Sequence, residues 1–392
     1  MKIGFVTTHN VKRRPQRTAS YLFEAMSKFA TVEHVVPETA ATARLGRIGT
    51  VLNRRFSSQP RNSALEVRYA AEVSQRCSAG DLDLIVGLYA SAIIPRLELP
   101  DGLPVVHISD STMQLHAAPG SGYPRPNRRQ LRNRCELDNQ TCRRIDLGIY
   151  PSEWAAESAV RDCGLPPDRA RVVEWGGAGE DDLPSPDRRP PRQGERIELV
   201  FIGQAWLRKG LDRALAATEH IADQGRPIRL TTIGCRIPRR LKIPQLRELG
   251  TLALHEDKDR ELFETVLQES TCLVHPARSE CYGHVLVEAC ARGVPVICTR
   301  VEGMPTIIRD GENGLLLPSD PDIASFVAAI LRIADDDALA HALCQGARRA
   351  WEERLSWAAW GRRFAELVEP LLACRSDSKD SSRGSLGALS RG

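Results

Sequence analysis

Short apolar segments alternate with amphipathic ones in two series separated by a proline-rich break, and that rhythm leaves few folds open. The first series predicts strands at residues 2–6, 83–87, 103–108, 146–150 and 171–174; the second predicts them at 197–203, 228–233, 272–274, 294–298 and 315–317. Helical patterns between strands imply parallel pairing through right-handed crossovers, because a tight turn cannot join parallel neighbours. A chain of 392 residues is also too long for one core. The expectation is an α/β fold of two doubly wound, Rossmann-like domains facing each other across a cleft. Their bounds are read as 1–179 and 196–350, with a linker at 180–195 (EDDLPSPDRRPPRQGE), a terminal helical stretch at 351–374 and a Ser-, Gly- and Arg-rich tail without order at 375–392.

Residues 275–318, HPARSECYGHVLVEACARGVPVICTRVEGMPTIIRDGENGLLLP, carry the densest chemical signal. Glu280 falls in a loop after a buried strand, and Glu288 falls in the second turn of a helix that opens near Gly283. Eight residues of helix span roughly 12 Å, whereas a retaining glycosidase needs carboxyl groups ~5 Å apart, so these two glutamates meet different parts of a ligand. The helix start would aim its N–H groups and positive dipole end at the same cleft, which suits a diphosphate. Gly303, in the turn Glu302-Gly303-Met304-Pro305, would let backbone approach a phosphate closely.

At these residues the chain resembles glycosyltransferase family 4, whose members are retaining, nucleotide-sugar-dependent enzymes of GT-B architecture. The resemblance rests on the spacing of Glu280 and Glu288, the following A-C-A-R-G-V-P-V, the E-G-M-P turn and D-G-E-N-G-L-L-L at residues 310–317. A second motif, F-I-G-Q-A-W-L-R-K-G, matches the family's strand-end loop at Gly203, Lys209 and Gly210. The resemblance implies that Lys209 sits on the donor diphosphate, that Glu280 binds donor sugar hydroxyls and that Glu288 binds the ribose. It also implies that backbone amides of Tyr282, Gly283, His284, Gly303 and Met304 meet sugar or phosphates. Where the family carries an arginine this chain has Gln204, which can hydrogen-bond a phosphate but brings no charge; Arg208 or an arginine of the other domain would compensate. In the first domain the resemblance implies that His107, expected at a strand end, lies beside donor sugar and acceptor. The other reading of His107 is a satisfied structural histidine. Asp110 is a candidate for binding acceptor hydroxyls, or alternatively a cap for the segment that follows. Transfer with retention of configuration follows from the same resemblance.

Composition excludes several other classes. A net charge of +4 with nearly balanced acids and bases argues against a nucleic-acid partner. The eleven cysteines are scattered without a C-x-x-C pair, which disfavours a zinc site or a disulfide framework. No metal or other cofactor is expected, and the partners implied are a nucleotide-sugar donor and a glycosyl acceptor. The first residues are too briefly apolar for a signal peptide, and no run is long enough for a membrane span, so a cytoplasmic location is expected. The basic stretch 44–61 reads either as an arginine-rich surface helix or as weak peripheral contact with the inner membrane face carrying a lipid acceptor. Two other functions stay open: a GT-B nucleotide-sugar 2-epimerase, which would need no acceptor, and a catalytically weakened binding protein, made thinkable by Gln204.

Overall fold

The computed structural model describes residues 1–7, 17–35, 62–79, 81–118, 127–177 and 195–387. The linker 180–195, apart from Glu195, and the basic stretch 44–61 lie outside the described residues. Strands β1 (Lys2–Thr7), β2 (Thr31–His34), β3 (Leu84–Leu88), β4 (Val105–Ile108), β5 (Leu147–Tyr150) and β6 (Ala170–Val172) form one parallel sheet in the order β2-β1-β3-β4-β5-β6. Between them run α1 (Arg17–Ser27), α2 (Asn62–Ala79), α3 (Met113–Ala117), α4 (Arg128–Arg144) and α5 (Glu153–Arg161). Strands β3, β4 and β5 are buried along their whole length, as parallel strands covered on both faces must be.

A second parallel sheet follows, of β7 (Ile197–Ile202), β8 (Ile228–Ile233), β9 (Leu246–Gly250), β10 (Cys272–His275), β11 (Val296–Thr299) and β12 (Gly314–Leu317), ordered β12-β11-β10-β7-β8-β9. Its helices are α6 (Leu211–Asp223), α7 (Asp257–Glu269), α8 (His284–Ala291), α9 (Met304–Ile307), α10 (Ile323–Asp335) and α11 (Asp337–Ala350). Two strands escape the sequence pattern, β2 and β9, and both are sheet edges. Their residues are half exposed, so neither carries the continuous apolar run that marks a central strand.

In open α/β sheets a crevice forms where the strand order reverses, beyond the carboxyl ends of the two strands concerned. In the second sheet that point lies between β7 and β10, and in the first between β1 and β3. One hydrophobic cluster joins the halves, combining Val106 and Ile108 of the first sheet with Tyr282, Leu286 and Val287 of the second half. The last helix, α12 (Trp357–Gly387), adds Trp360 and Phe364 to this cluster and lies on α1: Trp357 stacks on Tyr21 at 5.5 Å and Phe364 meets Phe29 at 5.9 Å. Its helical backbone continues through Gly387, into the 375–392 stretch read from composition as a tail without order. A helix already nucleated by packed residues extends at little cost through polar ones; residues 388–392 lie outside the described residues.

Candidate active site

The centre of the site is built at the switch point of the second sheet. After β7 the chain passes Gly203, loops through Trp206 and Arg208, and enters α6 through Gly210. Gly210 has φ 77°, and a Cβ there would lie 1.9 Å from the Pro276 carbonyl, so this loop can sit against the one after β10 only with glycine. Gly203 is required for a different reason. A Cβ on it would lie 2.3 Å from Lys209 Cδ, because the lysine stem runs across its bare face.

That path brings Lys209 Nζ to 2.6 Å from Glu280 Oε2. The same oxygen lies 3.3 Å from His275 Nε2, the donor at the end of β10, and 3.7 Å from Arg208. Burial alone would push the Glu280 carboxyl up, but the His275 hydrogen bond and the Lys209 charge outweigh it and hold it well below the usual carboxylate range. Burial pushes His275 down, so the imidazole is a neutral donor. Glu280 is therefore a permanent anion and hydrogen-bond acceptor near neutral pH. Arg208 is within reach of the same centre, whereas Gln204 is exposed beside Gly203. The second cation that Gln204 does not supply is present four residues later.

Beyond Glu280 the chain turns through Tyr282 and Gly283 into α8. Gly283 has φ 102°, a Cβ there would lie 2.4 Å from Leu286, and no side chain caps the helix. Tyr282 and His284 face the end of the first half. The Tyr282 hydroxyl donates to the Trp175 carbonyl at 2.6 Å, and His284 Nδ1 donates to the Gly176 carbonyl at 3.1 Å while its ring stacks on Trp175 at 5.7 Å. Glu288, one turn further, is buried, and a Cβ on Gly177 would lie 3.1 Å from its Cγ. Gly303 packs under the loop, its amide 3.3 Å from the Glu280 carbonyl, and Met304 is fully buried with its amide on Val301. Both amides thus hold the loop together within the protein, a task the motif alone did not reveal.

The first half contributes Asp110, just beyond β4. Its carboxyl takes hydrogen bonds from Ser111 at 3.2 Å and from Tyr89, and burial, reinforced by the facing charge of Glu280, pushes it up. The first amide of α3, that of Met113, donates to Asp138 at 2.7 Å, so the capping role falls to Asp138 and not to Asp110. Tyr89 packs edge-on to Trp175 at 6.2 Å and was not found from sequence, where nothing distinguishes a tyrosine after a strand.

His107 is elsewhere. It lies inside β4 rather than beyond it, paired with Gly87 and Gly148 on the two neighbouring strands. Alternation puts Val106 and Ile108 on the face toward the interdomain cluster and His107 on the opposite face, with Val105. A Cβ on Gly87 would meet Ile94 and Ala90, and one on Gly148 would meet Leu165 and Tyr150, so on both neighbouring strands apolar and aromatic side chains pack directly onto the backbone beside His107. Neither ring nitrogen has a hydrogen-bond partner among the described residues. The expectation that His107 stands beside donor and acceptor is therefore corrected: the side-chain period of two, not the position near the strand end, decides which way it points.

Among the described residues no group of three or more His, Cys, Asp or Glu side chains is placed to hold a metal, and no helix is long and apolar enough to cross a membrane.

Comparison with known proteins agrees with this arrangement. Solved structures similar over nearly the whole chain include sucrose-phosphate synthase from Thermosynechococcus elongatus (16% identity, TM-score 0.65, covering 95% of this chain and 99% of that one). Another is Anabaena HepE in complex with UDP and glucose (17% identity, TM-score 0.61, covering 94% and 99%). These likenesses establish the two-domain GT-B fold. Among curated relatives, D-inositol 3-phosphate glycosyltransferase of Saccharomonospora viridis is 28% identical over 65% of this chain and 62% of its own length. The gpi3 subunit of phosphatidylinositol N-acetylglucosaminyltransferase of Schizosaccharomyces pombe is 25% identical over 47% and 40%. The chain thus spans less than two thirds of the length of these relatives. Residues 186–350, which contain Gly203, Lys209, Glu280, Glu288 and Gly303, match the family model "Glycosyl transferases group 1", so this part of the chain is similar to glycosyltransferases of that group.

Proposed function

We propose that this protein moves a sugar from a nucleoside-diphosphate sugar to an acceptor hydroxyl, with retention of anomeric configuration. The observation that carries the reading is the buried carboxylate of Glu280 gripped by Lys209 at 2.6 Å with Arg208 beside it, at the switch point of the second sheet. A permanent anion there accepts hydrogen bonds from sugar hydroxyls. The two cations and the uncapped start of α8 take the diphosphate and stabilise the charge that grows on it as the glycosyl bond breaks. Glu280 does not serve as a general acid, since its proton is lost far below neutral pH. Glu288 holds the ribose, and Asp110 with Tyr89 receives the acceptor hydroxyl from the opposite side of the cleft. The leaving diphosphate helps take the acceptor's proton. No metal is invoked in this scheme.

UDP-, GDP- and dTDP-sugars tested for thermal stabilisation, followed by turnover with polyol-phosphate, glycan and lipid-linked acceptors, decide the matter. The expected result is a raised Tm with one donor and release of nucleoside diphosphate only when acceptor is present. A changed nucleotide sugar formed without acceptor would make the protein an epimerase instead. If no donor raises Tm and none is turned over, the reading is wrong.

A further inference from the structure

Among the described residues only Tyr89 and Glu302 are non-glycines with positive φ, at 51° and 47°. Each follows a strand of a different half and lies at the cleft. For Glu302 the cause lies in its neighbour. Gly303 would be the easy place for a left-handed angle, but it has φ −81°, and a Cβ on it would lie 2.0 Å from the Cys281 carbonyl. The glycine of this turn is needed for close approach, and the unfavourable angle falls on a glutamate.

The side chain kept at that cost is not idle. Glu302 Oε1 accepts the Ser279 hydroxyl at 2.8 Å, and its carboxylate also accepts the Glu280 amide. Gly303 donates its own amide to the Glu280 carbonyl at 3.3 Å. Both backbone groups of Glu280 are thus held by the two-residue turn, as its carboxylate is held by Lys209 and His275. Glu302 Oε2 is buried without a hydrogen-bond partner among the described residues. A surface charge placed by chance would keep its oxygens in water.

We propose that Glu302 is a positioning residue, which pins the Ser279–Glu280 backbone so that the Glu280 carboxylate faces the donor sugar in a fixed orientation. It touches no reacting atom and acts through Glu280. The inference rests on the transferase reading of the site for its functional half and on the geometry alone for its structural half, so two measurements separate them. Glu302→Gly removes the carboxylate while suiting the left-handed backbone, and the fold is therefore kept. Glu302→Gln keeps an oxygen for Ser279 and the Glu280 amide.

Hydrogen exchange of the peptide carrying Ser279 and Glu280 needs no ligand; it is expected to speed up about tenfold in Glu302→Gly and to stay near wild type in Glu302→Gln. Calorimetric titration with the same panel of UDP-, GDP- and dTDP-sugars, each paired with its free nucleoside diphosphate, then tests the consequence. The preference for nucleotide sugar over nucleoside diphosphate is expected to fall about tenfold in Glu302→Gly, with nucleoside diphosphate affinity itself changed less than about twofold. Unchanged exchange in Glu302→Gly overturns the inference, as does equal loss of both affinities or a Glu302→Gln variant as impaired as Glu302→Gly. A wild-type protein that binds no nucleotide sugar overturns the transferase reading, while the exchange rates still decide whether Glu302 pins the loop.

Discussion

His107 offers a quantitative test of which way a buried side chain faces. It is buried in the sheet between Gly87 and Gly148 of the neighbouring strands, neither ring nitrogen has a hydrogen-bond partner among the described residues, and burial pushes its pKa down to about 4. In the unfolded chain a histidine titrates near 6.5, roughly 2.5 pH units higher. The unfolded state therefore binds the proton first as pH falls, and the contribution to stability is lost between about pH 6.5 and pH 4. Above pH 7 both states are neutral and the effect vanishes. At pH 5 the unfolded form is almost fully protonated and the native form is not, which costs about 2 kcal/mol, rising toward about 3.4 kcal/mol below pH 4. His107→Leu fills a similar volume, deletes the titration and removes two unsatisfied nitrogens from an apolar site. Urea denaturation at pH 7.5 and pH 5.0 is expected to show wild type losing about 2 kcal/mol more than the variant between the two. Sugar transfer at pH 7.5 should survive the substitution. Equal losses in the two proteins would refute the burial argument, and a variant that folds at wild-type stability but has lost its activity would put the ring back in the cleft.

Three further outcomes are expected. If Lys209 is the cation on the donor diphosphate, as proposed, Lys209→Ala should lower kcat for sugar transfer roughly 10²- to 10³-fold, with far-ultraviolet circular dichroism unchanged; a loss under about fivefold would mean Arg208 alone suffices. Gly210→Ala meets the Pro276 carbonyl and a left-handed angle together, and should destabilise by about 3 kcal/mol or more in urea denaturation. Tyr282→Phe deletes the hydroxyl that donates to Trp175, and should cost about 1–2 kcal/mol of stability, because the buried carbonyl loses its partner.

Most of the second half was legible because its function resides in backbone shape. Gly203, Gly210, Gly283 and Gly303 are forced by close approach or positive φ, and such requirements leave glycines at fixed spacing in the sequence. Central strands were legible for a related reason: burial on both faces demands unbroken apolar runs, as in β3 and β10. The edge strands β2 and β9 face solvent and carry no such mark. In the first half, Asp110 and His107 stand three residues apart and looked alike, yet one is in the cleft and the other in the core. Rotation about the chain separates them, and a single sequence does not record it. Glu302 was in plain view within the E-G-M-P turn, but its left-handed angle is set by what Gly303 must avoid.

The return of α12 onto α1 has a bearing on how the molecule comes together during synthesis. Tyr21 and Phe29 leave the ribosome more than 300 residues before the rings that cover them, Trp357 and Phe364. Trp357 also clamps the chain where the first half ends, its indole donating to the Gly177 carbonyl at 2.9 Å. An N-terminal fragment stopping at Gly177 would leave that aromatic face bare and prone to clump with its own kind. What looks in space like one domain is, in time, two pieces that must wait for each other, and the second sheet is made in the interval.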